Sequence, residues 1–429
     1  AARLEHFVAP CRKSQAFAMR SALLLLLSAQ LAGCWHAPSR VQTSRVVDVA
    51  RGAASVARAA PAAVAVGQPQ QTAPLYTSPE LPKVLGGIKI GLRKLVVLTG
   101  ASSGLGLATL KSLLKEKKYF VVCAVRDVDK MRQVAQQEGF DMGSIAVMKL
   151  ELGNLQSVRD FVQNLRAFKV GRPLDALICN AAVYLPTDPK PRFTDDGIEQ
   201  SMGINHVGHF LLARLLIDDL KGASDPRCVI VGSITGNTNT IGGGLVYPRA
   251  DLGTLSGLEK LAEGQRFVEM ADGNEFFGAK AYKDSKVCNM MTMYELHRRY
   301  HDSTGITFSS MYPGCIADTP LFREKRGWFR FIFPLFMKYV TGGYVSEEEA
   351  GDRLAQCVTD PRTKTSGVYW SWNGGAQQLA LSKDEQGRPR GTGGSGGEIF
   401  QNQVSSEVSD GGKAAKMWEL TSKIVGLPP

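Results

Sequence analysis

Short apolar runs recur along the chain from residue 94 at the spacing of an alternating strand and helix architecture. Leu95-Val96-Val97-Leu98, Tyr119–Val125, residues 145–150, residues 174–179 and Cys228–Val231 are apolar at nearly every position. That is the pattern of strands covered on both faces, since a half-exposed strand would alternate apolar with polar. Between the first two runs, Leu107, Ala108, Leu110, Leu113 and Leu114 repeat at helical spacing, and further helices are expected over about 154–168 and 194–220. Ala279–Tyr300 contains neither Gly nor Pro and reads as one long helix. Strand alternating with helix predicts an α/β fold, a doubly wound parallel sheet of about seven strands with helices on both faces.

The first apolar run ends in Thr99-Gly100-Ala101-Ser102-Ser103-Gly104-Leu105-Gly106 and passes into a helix. Strand, glycine-rich turn and helix is the arrangement in which backbone N–H groups and a helix N-terminus meet a pyrophosphate. Gly100, Ser102, Ser103, Gly104, Leu105 and Gly106 are therefore the expected cofactor loop of a Rossmann-type domain. Arg126 ends the second strand, where an NAD enzyme carries an acid for the ribose hydroxyls; a cation there pairs with a 2′-phosphate and points to NADPH. Lys130, one turn into the next helix, supplies a second charge. Tyr282 and Lys286 stand four residues apart on the long helix and share a face. An ammonium within about 4–6 Å of a phenol favours the phenolate, so the pair is expected to bring Tyr282 toward working pH as a proton donor.

The spacing T-G-x-x-x-G-x-G resembles the short-chain dehydrogenase/reductase superfamily, and the resemblance assigns further residues. Cys179-Asn180-Ala181-Ala182 corresponds to a segment whose backbone lies against the cofactor ribose, and Asn205 to a helix Asn that anchors the catalytic lysine through water. Ser233 stands where the superfamily carries a Ser that hydrogen-bonds the substrate or the tyrosine, and Pro313 and Gly314 follow the sixth strand beside the cofactor. Glu151 departs from the usual Asp near the adenine. From Ser233 to Tyr282 is 49 residues against roughly a dozen in the superfamily, which implies an insertion over 237–278 beside the active site, expected to be a structured cover.

More specific blocks are AKAYKDSKVCNMMTMYELHRRY (Ala279–Tyr300), Tyr312-Pro313-Gly314-Cys315-Ile316-Ala317, Gly343–Gly351 and Ser366–Trp372. They resemble the light-dependent NADPH:protochlorophyllide oxidoreductase family over about residues 94–375 and again near 398–426. The resemblance implies reduction of the C17–C18 double bond of a magnesium porphyrin-type pigment that absorbs the light itself. It also implies Tyr282 or Cys315 as proton donor, with Lys286 and Ser233 in support. An ordinary reductase of a lipophilic carbonyl such as a retinoid shares the cofactor loop and the Tyr-Lys pair, and remains the alternative. The stretch 327–340 carries six aromatics in fourteen residues where the superfamily places its lid, so residues 317–341 are expected to close over pigment through Phe331 and Phe336. Arg323, Lys325, Arg326, Arg330 and Lys338 rim that stretch and fit a peripheral contact with an anionic plastid membrane. Residues 376–397, with Gly393-Gly394-Ser395-Gly396-Gly397, fall outside the resemblance and read as a flexible insertion.

Charge changes the picture only at one end. Of a net charge of +11, residues 1–94 hold 12 Lys/Arg against 3 Asp/Glu, leaving 39 against 37 for the rest. A nearly neutral remainder gives no footprint for nucleic acid. Met19-Arg20, five leucines at Leu23–Leu27 and the small residues Ala29, Ala32 and Gly33 read as a signal peptide starting at Met19. The Ala/Ser/Arg-rich stretch after it reads as a transit peptide. Residues 1–84 are thus expected to be a bipartite plastid-targeting region, and 85–429 a single reductase domain, with a homo-oligomer among its expected assemblies. Eight cysteines without a C-x-x-C pair read as free thiols, and no metal-ligand spacing occurs.

Overall fold

The computed structural model describes residues 89–244, 246–316, 335, 343–374, 382–384, 386–391 and 393–429. The expected targeting region 1–84 and, apart from residue 335, the expected lid 317–341 with Phe331 and Phe336 lie outside the described residues. Strands β1 (Lys94–Thr99), β2 (Tyr119–Val125), β3 (Ile145–Lys149), β4 (Ala176–Cys179), β5 (Arg227–Val231), β6 (Thr307–Met311), β7 (Val368–Trp372) and β8 (Ile399–Gln401) form one sheet. Its order is β8-β7-β6-β5-β4-β1-β2-β3, in which β1–β7 are mutually parallel and β8 adds antiparallel to the β7 edge. The chain leaves β1 for β2 and β3, then returns to β4 on the other side. The carboxyl ends of β1 and β4 therefore flank the crevice of a topological switch point.

The helices are α1 (Gly104–Lys115), α2 (Val128–Gln137), α3 (Leu155–Lys169), α4 (Gly208–Leu215), α5 (Ser256–Ala262), α6 (Gly278–Thr304), α7 (Glu347–Thr359) and α8 (Gly411–Ile424). Alternate residues of each strand serve opposite faces. Leu95 and Val97 join Phe161, Leu212, Met290 and Trp418 from α3, α4, α6 and α8, whereas Val96 and Leu98 join Leu110, Met131 and Leu354 from α1, α2 and α7. Burying each such side chain contributes about 1.5–3 kcal/mol, which is why β1 to β5 carry no polar alternation. Gly351 lets α7 approach α1: a Cβ there would stand 2.5 Å from the Ala108 backbone.

Three expectations change. The helix placed over 194–220 begins only near residue 200, because Thr194-Asp195-Asp196-Gly197 forms a turn with Gly197 at φ +79° and Phe193 bridging Glu199. Asp196 accepts from the N–H of Leu155 at 2.8 Å, and Glu199 accepts from the N–H groups of Ser201 and Met202 at 2.9 Å each, capping the later helix start. That helix then opens with a π turn over Met202–Val207 before α4. β8 was not anticipated. The third correction concerns 376–397: its described residues are not a flexible linker but include a two-stranded ribbon, Ser382–Lys383 with Pro389–Arg390, pinned by Asp384 to Arg388 at 2.7 Å and Arg390 at 3.1 Å. Glycine-rich composition alone does not decide between linker and turn.

The described residues of 237–278, the stretch expected to be an insertion, include α5, and Val268 bridges Ile198. Its anchors come from α6. Lys280 Nζ reaches Asp272 at 2.8 Å and Asp284 at 2.6 Å, while Lys283 Nζ donates to the carbonyls of Val246 at 2.7 Å and Pro248 at 2.6 Å. Two carboxylates facing Lys280 hold its ammonium above the ordinary lysine range, although burial opposes them more than any other single influence.

Candidate active site

The turn after β1 is built for close backbone approach. Gly100 sits at φ +71°, where a side chain is strained, and Gly106 faces it from the first turn of α1. A Cβ on Gly106 would overlap the Gly100 carbonyl oxygen and stand 2.7 Å from Asn180 Nδ2. Ser103 is the N-cap of α1 in an extended conformation, and its hydroxyl makes no cap bond, which leaves the first-turn amides open toward the crevice, as a phosphate requires. Leu105 packs on the small cluster of Ile316, Val345 and Ala350, so the loop is continuous with the segment after β6.

Thr99 ties this turn to the end of β4. Its Oγ1 accepts from the N–H of Asn180 at 2.8 Å and of Ala181 at 2.9 Å, and Asn180 Nδ2 donates to the Thr99 carbonyl at 2.9 Å. Buried His209 completes the network, with Nε2 at 2.9 Å from Thr99 Oγ1 and Nδ1 at 3.0 Å from the Asn205 carbonyl. A carbonyl can only accept, so Nδ1 donates to it. Burial pushes His209 down to about 4; the neutral ring then accepts a hydrogen bond from the Thr99 hydroxyl at Nε2. Asn205 is fully buried on the π turn, where its Oδ1 accepts from the N–H of Val183 at 2.8 Å and its Nδ2 donates to the Val183 carbonyl at 3.0 Å and to Ser285 Oγ at 3.1 Å. Thr99 and His209 escaped the sequence reading, whose only signal for them was polarity at positions flanked by apolar residues.

Ser233, Tyr282 and Lys286 converge at the end of β5. Ser233 stands close enough to Tyr282 to pull its phenol down, Ser233 Oγ lies 2.9 Å from Thr235 Oγ1, and the Tyr184 ring packs on Tyr282 with centroids 4.7 Å apart. Lys286 Nζ stands 5.8 Å from the Tyr282 ring centroid but donates to the Val231 carbonyl at 2.9 Å. The expectation that the ammonium brings the phenol toward working pH is not met. Burial pushes Tyr282 up to about 12 against the pull of Ser233, and burial lowers Lys286 to about 8. Desolvation decides the direction of both shifts. The phenol is consequently held fully protonated, the state a donor needs.

On the far side of the crevice Pro313, Gly314 (φ +113°) and part-buried Cys315 follow β6, and Cys315 bridges Tyr344. Burial pushes the phenol of Tyr312 well up, and Cys315 and Tyr282 are among the groups that push it further. Arg126 is exposed at the end of β2 and faces Glu151 at 3.8 Å, while Glu151 Oε1 accepts from the N–H of Gly153 at 3.1 Å. Lys130 is also exposed, its backbone N–H held by Asp127 at 2.9 Å.

Residues 94–253 match the short chain dehydrogenase family. Over a longer span the chain is 53% identical to the chloroplastic protochlorophyllide reductase of Cucumis sativus across 353 residues, covering 82% of each chain. It is 55% identical to protochlorophyllide reductase A of Arabidopsis thaliana across 334 residues, 77% of this chain and 76% of that one. With the chloroplastic protochlorophyllide reductase of Chlamydomonas reinhardtii it shares 54% identity across 338 residues, 78% of each.

Proposed function

This chain belongs to the protochlorophyllide reductase family of short-chain dehydrogenases, and from that premise we propose that it reduces the C17–C18 double bond of protochlorophyllide to chlorophyllide with NADPH, driven by light that the pigment absorbs. The observation that carries the mechanism is the convergence of Ser233, Tyr282 and Lys286 at the end of β5, opposite the glycine turn of β1. Relatives above 50% identity are named for the pigment, which favours it over a lipophilic carbonyl such as a retinoid.

NADPH, when bound, supplies the hydride that reaches C17. The chain provides its cradle: Gly100 and Gly106 clear space for a pyrophosphate, Asn180 and Ala181 are fixed by Thr99, and Arg126 would hold the 2′-phosphate. Tyr282 holds the proton for C18 at its phenol oxygen, and Ser233 orients that oxygen. Lys286 anchors α6 to β5 through the Val231 carbonyl, and its ammonium would hold the nicotinamide ribose. Pro313, Gly314 and Cys315 close the opposite side, with Cys315 the second candidate donor. The aromatic pattern of 327–340 supports a role for Phe331 and Phe336 in covering the pigment.

The bipartite composition of residues 1–84 supports delivery to a plastid, with 85–429 as one reductase domain. The cationic rim of 323–338 supports peripheral attachment to a thylakoid-type membrane, and self-association is part of the same proposal. The test mixes protein, NADPH and protochlorophyllide in darkness and compares absorbance before and after a flash. Chlorophyllide appears only after the flash; conversion in darkness, or none at all, overturns the reading.

A further inference from the structure

The glycine-rich turn over 393–397 lies where its composition gives no reason to expect it. Arg353 on α7 is only 2% exposed, and its guanidinium is shared among three segments. Nη1 donates to the Pro313 carbonyl at 2.8 Å; Nη2 donates to Glu349 at 2.7 Å and to the carbonyls of Gly394 at 2.7 Å and Gly396 at 2.9 Å. The guanidinium carbon also stands 5.3 Å from the Trp372 ring centroid. Glu349 grips the same turn from its other side, accepting from the Gly396 N–H at 2.6 Å and from the Ser395 hydroxyl. The Gly393 N–H donates to the Trp372 carbonyl at 2.8 Å.

Contact with the crevice is direct. A Cβ on Gly314 would stand 2.6 Å from the Gly393 carbonyl oxygen, and one on Gly393 would stand 3.1 Å from Gly314 Cα and overlap the Tyr312 ring. Both residues have positive φ, +113° and +82°. Each turn is thus glycine where the other presses on it. A lone buried guanidinium needs acceptors, and here they are carbonyls of the two turns it joins plus one carboxylate.

We propose that Arg353 is a positioning residue that locks the Gly393–Gly397 turn onto Pro313-Gly314-Cys315, making that turn the active-site wall on the Cys315 side. The wall sets how rigidly Cys315 is held and how the pigment is received, a consequence that rests on the pigment reading; the lock itself does not.

Two variants test it. Arg353→Lys keeps the charge but offers a single nitrogen, and Gly393→Ala leaves Arg353 intact while blocking the seat of the turn. Cys315 in the full chain, without cofactor or pigment, is alkylated with N-ethylmaleimide and followed by peptide mass spectrometry. Both variants should raise its rate about tenfold or more, Arg353→Lys through loss of a charge-assisted hydrogen bond and Gly393→Ala through displacement of the turn from its seat. In the flash assay the KM for pigment should rise about tenfold while kcat changes less than threefold. Should either variant fail to fold, Glu349→Gln tests the same grip more mildly and should raise alkylation about threefold. Wild-type alkylation rates in folded variants overturn the lock. Faster alkylation with unchanged pigment KM overturns the wall. If the wild type reduces no pigment, the functional reading falls while the alkylation result still decides the lock.

Discussion

Lys286 donates to the carbonyl of Val231 at 2.9 Å, so the residue four places after the candidate proton donor is also the bolt between α6 and β5. Burial lowers its ammonium from 10.5 to about 8. Between those two values the unfolded chain binds a proton that the folded chain does not, so stability rises with pH across the window. Below pH 8 the buried charge costs a constant amount, about 3 kcal/mol at this shift. Lys286→Met should remove that rise, measured by denaturant midpoints at pH 7 and pH 9.5 for both proteins. Parallel behaviour of the two would show that the ammonium is not desolvated. Photoreduction by the wild type should fall as pH climbs through about 8, because the proposed role needs the charged form.

Tyr282 is a protonated phenol against Tyr184 and Ser233. Tyr282→Phe removes the proton and keeps the ring, so fold and NADPH affinity should stay within threefold of wild type. General acid catalysis contributes about 10²–10⁴-fold, and formation of chlorophyllide after a flash should slow by at least about 100-fold. Conversion at the wild-type rate would move the donor role to Cys315, and Cys315→Ser would then carry the loss.

How much of this site the sequence disclosed depends on how local each signal is. β1 to β5 are legible because burial on both faces leaves runs such as Val121-Val122-Cys123 without a polar residue, whereas β6 carries Thr307, Ser309 and Ser310 and gives no such run. β8 is three residues with one buried side chain, Phe400, and owes its existence to the free edge of β7. Spacing put Tyr282 beside Lys286 but carried no information on desolvation, which decided the direction of both pKa shifts. Thr99, His209 and Arg353 act through partners 81 to 110 and about 40 positions away, a relation no local pattern encodes.

Arg126 faces Glu151 at 3.8 Å with most of its side chain in solvent, and an exposed pair of that kind is worth about 0–1 kcal/mol. A 2′-phosphate, with more charge and more acceptor oxygens, should outcompete the carboxylate. Arg126→Gln should weaken NADPH by about 1.5–3 kcal/mol and leave NADH nearly unchanged, as titration of the two cofactors would reveal. Glu151→Gln should strengthen NADPH slightly. Equal losses for both cofactors in Arg126→Gln would remove the residue from phosphate recognition.

Gly106 offers a test in which two effects oppose each other. It lies inside α1, and replacing a helical glycine with alanine ordinarily stabilises by about 1 kcal/mol. Here the added Cβ would overlap the carbonyl oxygen of Gly100 and press on Asn180 Nδ2 at 2.7 Å. Neither neighbour is free to yield, since Gly100 is held by its N–H bond to Ala124 at 3.0 Å and Asn180 by its bond to Thr99 at 2.9 Å. Overpacking of this kind costs about 1–3 kcal/mol, so the steric cost should exceed the propensity gain. Gly106→Ala is expected to lower the denaturant midpoint and to weaken NADPH at least tenfold by widening the turn that receives the pyrophosphate. A rise in stability with NADPH affinity intact would mean that the turn relaxes freely and that its close packing has no part in holding the cofactor.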